Sequence, residues 1–242
     1  MNKFSFRHIF ASFALIFAAL AVYAQDNDRV LNRPYADQKR IHFGFNVGMI
    51  FHDLNLTGNG FVTESGEQWV GTVPNHSPGF SVGVLADLRL ATHFNLRFSP
   101  GMHFGNKIIH YRNIADENSE VETQNVKSTY VVLPIDLKIS ASRWRNMRPY
   151  FTTGVMGVID VSKSRNEQLK FGTADCMLTV GLGCDIYLPF FKLCPELKFC
   201  FGLANLLKKD RPDLVDNPEM MKYTNSFSKV TQNAVVLSFF FE

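Results

Sequence analysis

A serine and a histidine on two neighbouring predicted strands could carry out nucleophilic chemistry. A serine hydroxyl attacks an acyl group when a histidine takes its proton and a carboxylate orients that histidine. Ser81 and His103 both lie on the polar faces of alternating segments, and pairing Asp87 with Arg97 places them opposite each other. Neither an orienting carboxylate nor oxyanion donors can be assigned. We therefore predict a hydrogen-bonded structural pair and no catalytic residues.

Charged residues recur on the polar faces of the same segments. Buried charges must be paired, and both signs occur here in similar number. We therefore expect these groups to have a structural role inside a closed lumen; a proton or ion path along them is the alternative. The residues are Asp87, Arg97, Asp136, Lys138, Asp185, Glu196 and Lys198.

The sequence gives little support for metal, cofactor or disulfide chemistry. No two of the histidines on or beside predicted strands have the spacing that favours a metal site. The cysteines fall on two neighbouring strands, with Cys176 and Cys184 on one face and Cys194 and Cys200 on the other, so we predict free thiols. We expect neither a metal nor a cofactor. The histidines considered are His42, His52, His93, His103 and His110.

Eight segments with a period of two must position these side chains. The clearest pair runs from Cys176 to Leu203 through a tight turn. Each of these two strands is long enough to cross a bilayer, which takes roughly 9 to 11 residues, whereas strands of globular proteins average about 5 to 6. The segments are Ile41–His52, Phe80–Leu90, Phe94–Phe104, Val131–Ser140, Pro149–Val161, Cys176–Leu188, Leu193–Leu203 and Ala234–Phe241.

The connections between these segments alternate between long and short. An open sheet edge cannot lie in hydrocarbon, because its backbone groups would have no hydrogen-bond partners. We therefore predict an all-β fold, an eight-stranded antiparallel transmembrane outer-membrane β-barrel with meander topology and a filled lumen, without an open channel. Tight turns should face the periplasm, and the long loops should face outward. The predicted loops are Asp53–Pro78, Asn106–Ser128, Ser162–Gly172 and Asn205–Ser228, the last with a short helix around Pro218–Tyr223.

The outward positions of the segments are rich in phenylalanine. In a barrel this pattern is typical of a lipid-facing surface with an aromatic girdle, and a ligand cage is the less favoured interpretation. The lipid of the outer membrane is therefore an expected partner. The residues concerned include Phe43, Phe45, Phe94, Phe98, Phe104 and Phe199.

The N-terminal sequence predicts export. Basic residues precede the apolar run Ile9–Val22, and small residues end at Ala24, as in a secretory signal peptide. The apolar run is short for a retained membrane anchor, the alternative interpretation. The predicted domains are a signal peptide at 1–24, a flexible polar periplasmic leader at 25–40 and the barrel at 41–242, located in the bacterial outer membrane. With a net charge of +3 and no long basic run, the chain is not expected to bind nucleic acid.

Several stretches together resemble the PorT family of outer-membrane barrels, which is associated with the type IX protein secretion system. The resemblance implies a non-enzymatic role in the secretion or maturation of cargo proteins, with other secretion-system proteins as partners and no small-molecule substrate. It supplies no catalytic residues. A general envelope or adhesion role and a lipid-modifying hydrolase are the alternatives. The stretches are Lys39–Gly48, Leu133–Lys138, Arg148–Tyr150, Pro195–Phe199, Gly202–Leu207 and Leu237–Glu242.

Overall fold

The computed structural model describes residues 31–63, 66–72, 78–114, 122–162, 172–207 and 225–242. The predicted signal peptide and the helix predicted around 218–223 lie outside these residues. No helix among the described residues is long and apolar enough to cross a membrane. The described strands are β1 (Ile41–Gly58), β2 (Trp69–Thr72), β3 (Pro78–Arg89), β4 (Phe94–Phe98), β5 (Gly101–Asn113), β6 (Glu122–Ser140), β7 (Met147–Asp160), β8 (Ala174–Tyr187), β9 (Lys192–Gly202) and β10 (Phe227–Phe241).

The strands close into an antiparallel ring. β4 and β5 are consecutive parts of one barrel strand, because both pair with β3 on one side and with β6 on the other. β1 pairs with β3 and also with β10, which joins the two edges of the sheet. The ring therefore contains eight barrel strands, and the predicted fold is confirmed. We call the end with the short connections 90–93, 141–146 and 188–191 the turn end, and the opposite end the loop end.

The strand predicted from Phe94 to Phe104 is interrupted at Ser99 and Pro100. Proline has no backbone N–H and cannot donate to a β-ladder. Its carbonyl still accepts a hydrogen bond of 3.0 Å from the backbone N–H of Val84. The interruption is therefore a local irregularity in the wall, and the pairing with both neighbouring strands resumes at Gly101.

The two faces of the sheet differ as a membrane barrel requires. Outward side chains around the middle of the barrel are large, apolar and exposed, as Phe43 shows with 74% of its surface exposed. Inward side chains on the same strands are buried and often polar. Since lipid replaces water around the outer face, apolar side chains are more stable there than polar ones. The six phenylalanines predicted to face lipid are all exposed.

Two predicted loops are wrong in extent, because the strands continue into them. β1 reaches Gly58, β2 forms inside the loop predicted at 53–78, and β5 and β6 replace most of the loop predicted at 106–128. The alternation is inverted there: Ile109 and Tyr111 are fully buried inside the barrel, while Arg112 faces outward and is exposed. Beyond the apolar belt, the sheet therefore follows the pattern of a water-surrounded protein, with an apolar interior.

This inverted region encloses an apolar cluster at the loop end. Its members come from four strands and from the segments beside them, and aromatic rings fill its centre. Tyr111 and Phe227 pack edge to face with ring centroids 6.4 Å apart. The cluster blocks the lumen at this end. It consists of Leu54, Trp69, Ile109, Tyr111, Leu207, Phe227 and Val230.

Residues 33–38 of the predicted flexible leader contact the barrel instead. Ala36–Gln38 forms a 3₁₀ turn in which Ala36 is buried. The Arg33 Nη1 donates a 2.9 Å hydrogen bond to the backbone carbonyl of Glu242. The expectation of flexibility is therefore wrong for this part of the leader, because its charged side chains find partners on the barrel.

Candidate functional site

The seven charged residues predicted for the lumen all lie inside the barrel, each with 7% or less of its surface exposed. Their order follows from strand register. Arg97 on β4 pairs with Asp87 on β3 and with Asp136 on β6, so the three side chains form one row around the wall. Alternation sends all three inward, and the register brings opposite charges together.

Arg97 is the centre of this arrangement. Its guanidinium contacts Glu196 at 2.8 Å and Asp87 at 3.3 Å, and its Cζ lies 4.6 Å from the ring centroid of Phe240. Asn95 also donates a 2.5 Å hydrogen bond to Asp87. Charge-assisted bonds at Nε and Nη1, together with the aromatic face, stabilise a cation that is completely buried, whereas its Nη2 has no hydrogen-bond partner among the described residues.

The two lysines predicted for the lumen are paired as well. The Lys198 Nζ lies 2.6 Å from Asp136 and 3.2 Å from Glu196. The Lys138 Nζ donates 2.8 Å hydrogen bonds to both carboxylate oxygens of Asp185. Each lysine therefore contacts a carboxylate on a strand that is not its neighbour in the ring, and these ion pairs cross part of the lumen.

Two further charged residues complete the cluster, and the predicted set omits them. Lys192 forms an ion pair with Glu242, and the Arg97 Nη2 lies 3.6 Å from Glu242. The alternation of β9 and β10 contains the signal, because both residues continue the inward series. We call the full set the lumen ion network, with four cations and five carboxylates: Asp87, Arg97, Asp136, Lys138, Asp185, Lys192, Glu196, Lys198 and Glu242.

A second polar cluster lies nearer the loop end and was not predicted. The Lys107 Nζ donates to the Tyr130 hydroxyl at 2.6 Å and to the Gln232 Oε1 at 2.7 Å. The Gln232 Nε2 is 3.0 Å from the His52 Nδ1. Among the described residues, no carboxylate lies within ion-pair distance of Lys107. Lys107 falls in a stretch predicted to be a loop, which explains why sequence reasoning missed it.

The structure places Ser81 opposite His103 on β3 and β5, and both are buried. Among the described residues the Ser81 hydroxyl has no hydrogen-bond partner, so the hydrogen bond expected between the two side chains is not formed. No carboxylate of the described residues is hydrogen-bonded to His103. The pair therefore lacks the contacts by which a histidine activates a serine.

Side chains fill most of the lumen between these clusters. A cavity of about 30 Å³ lies beside His103, Lys198 and Ser238, which is room for one or two water molecules. No group of three or more His, Cys, Asp or Glu side chains in the described parts of the chain could hold a metal ion. The four cysteines are free; Cys194 and Cys200 are buried in the lumen, and Cys176 is exposed outside.

These features define the class of protein. A closed antiparallel barrel with an apolar outer belt and a charged, filled lumen is a membrane-spanning β-barrel. The model of the family described as outer membrane protein beta-barrel domain matches residues 23–208. The chain belongs to this family and is a protein of the bacterial outer membrane.

Solved structures similar to the chain include other outer-membrane barrels. OprG from Pseudomonas aeruginosa is 11% identical, with 83% of this chain and 92% of that chain covered and a TM-score of 0.47. The N-terminal barrel domain of OprF from the same organism is 11% identical over 81% and 96% of the two chains, with a TM-score of 0.37. Ail of Yersinia pestis, solved with sucrose octasulfate, is 8% identical over 84% and 99%, with a TM-score of 0.37. No curated protein matches the chain.

Proposed function

We propose that this barrel is a non-enzymatic component of protein secretion, or of cargo maturation, by the type IX secretion system. The observation that carries the proposal is the filled lumen. In the described part of the chain, the side chains of the lumen ion network and of the apolar cluster occupy the interior of the barrel, which argues against passage of a cargo protein through it. A barrel of this kind acts by presenting its loops and its turn end to other proteins.

The resemblance to the PorT family supports the specific assignment. Five of the six resembling stretches lie mainly in β1, β6, β7, β9 and β10, and three of them supply members of the lumen ion network. The resemblance therefore includes the interior of the barrel as well as its lipid-facing surface. The network residues supplied by these stretches are Asp136, Lys138, Glu196, Lys198 and Glu242.

The proposed partners are outer-membrane lipid and other secretion-system proteins. Short turns of outer-membrane barrels normally face the periplasm, which assigns the long connections to the outside. Protease treatment of intact cells tests this orientation, because cleavage between Asp53 and Pro78 requires that this connection be exposed outside. N-terminal sequencing of the mature protein tests the predicted signal peptide, with Gln25 as the expected first residue.

Deletion of the gene, followed by measurement of cargo in the medium, tests the secretion role. We expect cargo to accumulate inside the cell and expression of the intact protein to restore its release. Normal release in the deletion strain would refute the secretion role and favour a general envelope role. An adhesion role would instead appear as loss of cell attachment with normal cargo release.

A matched variant tests the non-enzymatic part of the proposal. The Ser81→Ala, His103→Ala double variant removes the candidate catalytic pair and should restore secretion as well as the intact protein does. Purified barrel should also leave lipid unchanged. Lipid hydrolysis by the intact barrel that is lost in this variant would identify a lipid-modifying hydrolase and refute the proposal.

A further inference from the structure

Residues 33–38, which we call the cap segment, cross the turn end of the barrel. Its 3₁₀ turn places Ala36 in a buried position. The Arg33 side chain donates to the backbone carbonyl of Glu242 at 2.9 Å, and the Arg143 Nη1 donates to the backbone carbonyl of Arg33 at 3.2 Å. The cap segment is therefore attached both to β10 and to the turn between β6 and β7.

Asp37 anchors the cap segment to the rim. Its carboxylate accepts a 2.5 Å hydrogen bond from the Tyr187 hydroxyl and lies 3.5 Å from the Arg148 Nη1. The Arg143 guanidinium lies 3.6 Å from the centroid of the Tyr187 ring and 3.9 Å from Asp37. Barrel residues on three elements thus converge on one side chain of the cap segment.

The groups directly beneath the cap segment belong to the lumen ion network. Glu242, whose carbonyl receives Arg33, forms an ion pair with Lys192. The Cys194 Sγ lies 3.9 Å from the Glu242 Oε1, and Cys194 has no exposed surface. Removing the cap segment would leave these groups next to the opening at the turn end.

Among the described residues, the contacts that hold the cap segment are few compared with those that hold the barrel. Asp37 keeps 25% of its side chain exposed, and ion pairs at such positions are weak because water competes for both partners. By contrast, continuous backbone ladders join the barrel strands, and β1 alone pairs with β10 from Phe45 to Gly58. Local opening should therefore begin at the cap segment and not in the wall.

We propose that the cap segment is a displaceable lid over the turn end of the lumen. When it moves away, water reaches the turn-end half of the lumen ion network while the eight-stranded ring stays closed. This device is independent of the secretion role, since it rests only on the contacts of residues 33–38.

The reactivity of native thiols tests the lid. Variants that keep Cys194 or Cys200 as the single cysteine report on two depths of the lumen: Cys194 lies behind Glu242, and Cys200 lies farther from the turn end and opposite Ala234. Each is combined with Asp37→Ala and Arg33→Gln, and the folded protein in detergent is treated with methyl methanethiosulfonate. Heat-dependent electrophoretic mobility confirms that each barrel is folded.

We expect Cys194 to react at least about tenfold faster when the contacts of the Asp37 and Arg33 side chains are both removed, and Cys200 to react at its original rate. The Lys39→Gln variant, which changes an exposed charge just outside the cap segment, should leave both rates unchanged. An unchanged rate at Cys194 would overturn the proposal, and so would equal acceleration at Cys200, which indicates a loosened barrel. If the double variant does not fold, Asp37→Asn alone is judged by the same two rates.

Discussion

Replacing Arg97 with methionine should destabilise the barrel strongly. Methionine is shorter and carries no charge, so Asp87 would remain buried without its arginine partner, and Glu196 would keep only Lys198, at 3.2 Å. Removing one member of a buried ion pair typically costs about 3 to 5 kcal/mol, because the remaining charge is left uncompensated. With a urea m-value of about 3 kcal/mol/M, the unfolding midpoint should fall by roughly 1 to 1.7 M. Urea unfolding in lipid vesicles, followed by tryptophan fluorescence, measures this shift.

A double-mutant cycle shows whether the loss comes from the ion pair. Glu196→Gln removes one of the two carboxylates that lose Arg97, so the Arg97→Met, Glu196→Gln double variant should be less destabilised than the sum of the single variants by about 0.5 to 3 kcal/mol. Leu96→Met changes the outward neighbour on the same strand and should alter the free energy of unfolding by about 1 kcal/mol or less. Additive effects, or a loss below about 1 kcal/mol for Arg97→Met, would refute the view that Arg97 is held by charge pairing.

Two more substitution pairs test the packing and the polar clusters by the same unfolding assay. Gly154→Ala should destabilise the barrel by about 1 to 3 kcal/mol, because a Cβ there would lie 2.1 Å from the backbone oxygen of Ile135. On the same strand, a Cβ at Gly157 would meet no described atom within 4 Å, so Gly157→Ala should be nearly neutral. Similar losses in both variants would contradict the packing. Lys138→Met should cost about 3 kcal/mol, because Asp185 loses its 2.8 Å partner and keeps only Lys192, at 4.0 Å. Lys107→Met, whose hydrogen-bond partners are uncharged, should cost less than half as much. The reverse order would show that Lys107 is held by an unseen charge.

The charged interior was largely predictable from the sequence. A strand period of two decides which side chains point inward, and the register that was assumed by pairing Asp87 with Arg97 is the one that the structure shows. The same reasoning could not identify which residues meet across the lumen. The contact of Arg97 with Glu196 joins strands that are not neighbours, and it depends on the diameter and tilt of the closed barrel.

The region near the loop end was harder to predict, because the outward strand positions change from apolar to polar where the strands leave the membrane. Polar residues such as Arg112 mark a loop if the outer face is assumed to be apolar, but they mark an outward strand position once water surrounds the sheet. Lys107 and its partners were missed for this reason. The cap segment was missed because its partners, including Tyr187, are distant in sequence and carry no local signal.

The seam between β1 and β10 has a consequence for biogenesis. Phe45 is paired with Phe241, so the ring closes only when two regions from opposite ends of the described chain meet. Until then both boundary strands expose a full row of unpaired amides and carbonyls, which can template aggregation. Contacts between such remote segments form slowly. The nascent polypeptide therefore needs chaperones until it inserts into the bilayer. Substitutions along the seam between β1 and β10 should reduce the amount of protein that inserts more than they shorten the lifetime of the inserted protein.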